Sequence, residues 1–211
     1  MDIHAEHTSS TDNVPVSELI LQAAIRRFSW FGIGKTTMTE IADDLSIPRH
    51  AIAQYFTDKG SLIAAVEKKI AEEYIQRLSQ AFTTSSGLRE GLLALVTIRQ
   101  EYFEKHYRFI LQGEPADTGK WSPVVTRALD TIREHEQDTL SGFLSGYTAE
   151  PHRHAALVLA ALTAFEQAFK SCIPLPEETD FSQLISRELE LIELIIPGLM
   201  ASAAGSESTH K

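Results

Sequence analysis

The sequence predicts an all-α protein in which a small N-terminal helical head joins a larger helical domain. Three observations carry this reading. Apolar residues recur at intervals of three and four along most of the 211 residues, and no run shows the two-residue alternation of a half-buried strand. Eight prolines and eleven glycines fall mainly at the ends of those periodic runs. A 43% hydrophobic composition over this length is enough for one small module and one larger core, with no tandem repeat.

The first periodic run, Glu18 to Phe31, presents Leu19, Ala23, Ala24, Phe28 and Phe31 as an apolar stripe widened by Ile20 and Trp30, with Ser17 placed as its cap. Gly32 and Gly34 end it and turn the chain. The segment GIGKTT is not a nucleotide-binding loop: the earlier glycine that loop requires would fall at Ser29, and its flanks are helical. Next comes TMTEIADDLSIPRHAIAQYF, residues 37 to 56, which reads as two short helices broken at Ser46-Ile47-Pro48. Thr37 and Glu40 have the spacing of a capping box, and Ile41, Ala42 and Leu45 share one face. Pro48 suits the first turn of the second helix, where Ile52 and Phe56 anchor inward. Arg49, His50, Ala53 and Gln54 are left outward as a candidate reading face for a DNA major groove. Arginine can fork onto guanine, glutamine can pair with adenine, and histidine can donate to a base or a phosphate.

Downstream, Asp58 is positioned to cap a helix from Lys59, and Leu62, Ile63, Val66, Ile70, Tyr74 and Leu78 continue it as a connector. Ser86 to Lys105 and a shorter run through Leu111 are helical, and GEPADTGK interrupts them. A long helix is expected from Pro123 to Gly146, another from Pro151 through HRHAALVLAALTAFEQAFKSC, and a last one anchored by Phe181, Leu184, Ile185, Leu189, Ile192 and Ile196 ahead of Pro197-Gly198.

The segment ILQAAIRRFSWFGIGKTTMTEIADDLSIPRHAIAQYFTDKGSLIAAV combines an apolar first helix, a glycine turn, TTMTEIADDL and the passage YFTDKGSL. On those residues the chain from Leu19 to Val66 resembles the DNA-binding domain of the tetracycline-repressor (TetR-like) family of bacterial transcription regulators. The resemblance implies a three-helix head containing a helix-turn-helix, a fourth helix joining it to a larger ligand-binding and dimerisation domain, and homodimers on a partly palindromic operator. Carried over residue by residue, it gives Thr37 a DNA-backbone contact and makes Tyr55 and Lys59 phosphate contacts, while Arg49 and Gln54 stand in the recognition helix. The chain departs from the family at Ser46 and Pro48, where glycine and serine are frequent, and at His50 and Ala53, where glycine and tyrosine are frequent. The operator sequence is therefore not transferable.

The expected division is a DNA-binding domain over 14–62, an effector-binding and dimerisation domain over 63–200, and flexible termini at 1–13 and 201–211. The resemblance places the effector region between Leu78 and Gly146 and the dimer interface on the last two helices. Within the effector region, Tyr102, Phe103, Tyr107, Phe109 and Trp121 supply aromatic surface, and Arg99 or His106 supplies groups able to orient a small molecule, ordinary core packing being the competing use of the same rings.

The formal charge of −10 is unevenly spread: residues 17–77 hold eight basic and eight acidic side chains, and the excess acid lies elsewhere. Indiscriminate coating of nucleic acid is thus disfavoured, and a local basic strip near Arg49 and Lys59 is not. Cys172 stands alone and reads as a reduced thiol, and the histidines lack metal-ligand spacing, so neither metal nor cofactor is expected. No nucleophile-base grouping points to an enzyme. AALVLAALTAF is too short to span a membrane and the N-terminus lacks a secretion signal, so the expected setting is the cytoplasm. The leading reading is a dimeric repressor released from double-stranded operator DNA, an inverted repeat, by a small-molecule effector. An activator of the same fold, a protein-interaction adaptor and a helical enzyme are the alternatives.

Overall fold

The computed structural model describes residues 14–111, 115–172 and 182–207, with side chains placed for 14–106, 130–167 and 182–201. These residues form eight helices: α1 (Val16–Phe31), α2 (Met38–Asp44), α3 (Arg49–Ala53), α4 (Lys59–Thr84), α5 (Leu88–Leu111), α6 (Pro115–Leu144), α7 (Pro151–Cys172) and α8 (Ser182–Glu207). Helices α1 to α3 and the start of α4 close around one core, made of Ile20, Ala23, Ala24, Phe28, Ile33, Ile41, Ala42, Ile52, Leu62, Ile63, Val66 and Ile70. A second core, including Tyr74, Leu78, Leu92, Leu95, Leu140, Leu144, Val158, Leu162 and Ile192, holds α4 to α8 together. Helix α4 contributes to both, its stripe passing from one core to the other between Ile70 and Tyr74, and Tyr102 of α5 packs against both.

Local chemistry explains where two of these helices begin. Thr37 accepts from the Glu40 amide while the Glu40 carboxylate takes the Thr37 amide at 2.7 Å, the capping box expected from the sequence. Asp58 and Ser61 form a second box at the head of α4, the Ser61 amide donating to Asp58 at 2.7 Å. Gly32 ends α1 at φ 83°, a backbone region that glycine enters without steric cost. Gly91 serves a different need: a Cβ there would stand 2.2 Å from Cζ of Phe143, whose ring stacks on Phe82 at 4.4 Å.

Several boundaries and faces differ from the sequence expectation. Helix α1 begins at Val16 after Pro15, and no side chain caps it, so Ser17 lies inside the first turn. Its buried face is centred on Ile20, Ala23, Ala24 and Phe28, whereas Leu19, Trp30 and Phe31 are exposed. Leu19 and Trp30 stand about a quarter-turn round the helix from Ile20, at the margin of the stripe. Helix α5 runs unbroken to Leu111, and α6 starts at Pro115 instead of Pro123, because a proline is tolerated in a first helical turn. Helix α8 continues through Pro197-Gly198 to Glu207. Proline removes one amide from the ladder and frees the carbonyl four residues earlier, at Glu193, which is on the solvent-exposed flank where water can satisfy it. Phe181 lies outside the described residues.

Candidate DNA-reading site

The turn between α2 and α3 fixes how the reading helix leaves the head. Leu45 and Ser46 donate their amides to Ala42 and Asp43, and the Ile47 amide returns to the Ala42 carbonyl at 3.0 Å. Ser46 adopts φ 54°, the left-handed conformation for which this turn ordinarily uses glycine. Ser46→Gly is therefore expected to raise thermal stability by about 1 kcal/mol through relief of the side-chain clash, less the added freedom of glycine in the unfolded chain. Urea melts of the two proteins test this, and an unchanged or lowered midpoint would show that the serine hydroxyl compensates the strain.

Pro48 sits in extended conformation at the N-cap of α3, so the five residues Arg49–Ala53 start without a side-chain cap. Ile52 is fully buried and Phe56 packs beside it, which turns the opposite side of the helix outward. Arg49, His50, Ala53 and Gln54 are all exposed, and Tyr55 is 48% exposed just beyond the helix end. Thr37, exposed at the start of α2, and Lys59, half-buried at the start of α4, complete the set. Five of the six residues singled out in the sequence thus belong to α2, α3 and α4 or their caps, with Arg49, His50 and Gln54 on one short element and Tyr55 one residue past its C-cap.

Arg27 was not singled out by the sequence, yet it braces the head. Its guanidinium donates to Asp44 through two bonds of 2.6 and 2.8 Å, stands 3.4 Å from Glu40, and lies over the Phe31 ring at 5.6 Å. The hydrogen bonds from Arg27 hold the Asp44 carboxyl below its ordinary range, and those from Thr37 do the same for Glu40. Depressed carboxyls contribute stability above their unfolded values and lose it as pH falls, so this brace between α1 and α2 weakens in acid. Spacing could not reveal it, because Arg27 and Asp44 are seventeen residues apart in different helices.

In the body, Arg99 is already engaged. Its nitrogens reach Glu166 at 2.7 Å, both oxygens of Glu136 at 2.6 Å and Thr163 at 3.0 Å, while the Tyr74 hydroxyl donates to Glu136. One guanidinium thus ties α4, α5, α6 and α7 together, with its side chain 13% exposed. Tyr102 packs against Tyr74 and His106, with ring centroids 4.7 and 5.0 Å away, and Phe103 and His106 are buried. His106 shares a hydrogen bond of 3.3 Å with Ser29 of α1, and burial pushes its imidazole down to about 4, which keeps it neutral. Tyr107, Phe109 and Trp121 lie outside the residues whose side chains are described.

A buried-anchor reading helix in a three-helix head, carried by a long connector into a helical body, defines a class of helix-turn-helix DNA-binding regulators. Residues 20–66 match the family model described as bacterial regulatory proteins, tetR family. Solved structures share the fold well beyond the head. A transcriptional regulator from Cytophaga hutchinsonii is 21% identical over 86% of this chain and 96% of its own, with a TM-score of 0.73. A TetR-family transcriptional regulator from Pectobacterium atrosepticum is 24% identical over 87% and 93%, at 0.63. The reduced form of NemR from E. coli is 18% identical over 85% and 96%, at 0.65. No curated protein sequence matches the chain significantly. Among the described residues no group of three or more His, Cys, Asp or Glu could hold a metal ion, and no helix is long and apolar enough to cross a membrane.

Proposed function

We propose that this regulator is a homodimeric repressor that grips an inverted-repeat operator through a head spanning 14–62 and is released by a small molecule bound in a body spanning 63–200. The observation that carries the reading is the outward set Arg49, His50 and Gln54, held on a helix whose inner side is pinned by buried Ile52. Arg49 and Gln54 read base edges, and Thr37, Tyr55 and Lys59 contact the backbone and set register. Dimerisation uses α7 and α8, where Leu157, Leu194 and Met200 are 57, 78 and 61% exposed. Beside them an open groove of about 510 Å³ runs between the two helices, lined by Phe165, Ser186, Arg187, Leu191 and Leu194 among others. An isologous interface there would hold two heads at a spacing that DNA half-sites must match. Tyr102, Phe103, Tyr107, Phe109 and Trp121 are the aromatic candidates for the effector site, with Arg99 and His106 able to orient a ligand, and the protein acts in the cytoplasm.

Selection from a random double-stranded DNA library at fixed salt tests the reading, and a spaced inverted repeat is the expected product. On that site Arg49→Ala or Gln54→Ala should relax base preference at one position by about 1–3 kcal/mol, whereas Lys59→Ala should weaken all sequences alike and lower the salt slope by about one. No enrichment by correctly folded protein, or equal base preference in the Arg49 and Gln54 variants, would count against these roles.

A further inference from the structure

The connector helix carries one side chain at odds with its apolar stripe. Between Val66 and Ile70, Glu67 is only 5% exposed, and its Oε1 is buried without a hydrogen-bond partner. It sits where the two cores meet, since Val66 and Ile70 belong to the head core, Tyr74 belongs to the body core, and Tyr102 touches both. Its charged and titratable surroundings among the described residues are few. From α5 come Tyr102, which feels the Glu67 charge, and His106 one turn further on, with Lys105 acting on His106. From α1 comes Ser29, which is uncharged and bonded to His106. From α6 comes Glu136, which also acts on Tyr102 and is itself held by Arg99 and Tyr74. On α4 itself, Lys69 pairs with Glu18 and Glu73, and Lys68 with Glu72.

A carboxylate buried with no cation beside it is far better tolerated neutral than ionised. We propose that Glu67 is a proton-binding latch between head and body: protonated, it lets α4 stay packed on α1 and α5; ionised, it draws in water, loosens that seam and weakens the grip on DNA. This rests on the DNA-binding reading above. Burial pushes the Glu67 carboxyl up to about 7, so one unit of pH on either side changes its charge. His106 in the same seam stays neutral over that interval and does not offset the change. The sign follows from linkage: the folded protein holds this proton between the unfolded value near 4.5 and about 7, so stability falls as pH rises through that window and levels off above it.

The test compares wild type with Glu67→Gln, which preserves shape and removes the titration. At pH 8 the variant is expected to melt about 5 °C higher, and the gap should shrink several-fold by pH 5. On the selected operator, wild-type affinity should fall about fivefold or more between pH 6 and 8 while the variant keeps its low-pH affinity. Equal melting of the two proteins at both pH values overturns the proton site. Identical pH dependence of operator affinity overturns its link to DNA even if the melting difference is present. Absence of any sequence-selective binding, with the melting difference intact, overturns the regulator reading and leaves the proton site standing.

Discussion

Arg99→Ala is expected to destabilise the body by about 3–5 kcal/mol, a drop of roughly 10 °C in melting temperature for a chain of this size. The cause is what the substitution leaves behind. Glu136 and Glu166 are 3 and 9% exposed at their side chains, and Arg99 is the cation that both of them contact. Removing it strands two carboxylates within about one guanidinium's width of each other, and both desolvation and mutual repulsion then oppose folding. The Tyr74 hydroxyl donates to Glu136, so the tie to the connector is disturbed as well. A variant that replaces Arg99, Glu136 and Glu166 together with apolar side chains of similar volume should recover most of the loss, because such swaps are often neutral or stabilising. Thermal melts decide the matter: an Arg99→Ala protein melting within about 2 °C of wild type would mean that water already reaches this cluster.

Ile52→Ala is expected to cost about 2–5 kcal/mol, and the loss should be confined to the head. Ile52 is fully buried, and it is the only core residue that five-residue α3 contributes to the head. Without it α3 has little to hold it, since so short a helix has no stability of its own. Hydrogen exchange should show α2 and α3 opening while α5 to α8 keep their protection. Operator affinity should fall in proportion to the fraction of heads still folded, although none of the proposed DNA contacts has changed. Retention of full affinity would indicate that DNA supplies the ordering energy for α3, a folding-on-binding head instead of a prebuilt one.

Much of the head was legible in the sequence because its signals are local. The Thr37-Glu40 box, the Asp58 cap and the Pro48 start each use residues within one turn of each other, and short-range spacing records that kind of contact faithfully. The same locality left Arg49, His50 and Gln54 exposed while Ile52 turned into the core. The misjudged boundaries share another cause. Pro115 and Pro197 were read as breaks, yet one occupies a first turn and the other an exposed flank, and that distinction depends on what surrounds the helix.

The sequence by itself determined the all-helical class and the short helix pair at 37–56 with its outward candidate face, since both follow from periodicity and capping within a few residues, while the three-helix head was what the family resemblance implied. Only the tertiary structure decided which charges meet. Arg27 finds Asp44 seventeen residues away, Arg99 finds Glu136 and Glu166 at separations of 37 and 67, and Glu67 is left with an unpartnered oxygen between two cores. Charges of opposite sign are interchangeable in a sequence pattern. The packing of α4 to α7 selects which of them share a low-dielectric interior, and there an ion pair or its absence has large consequences.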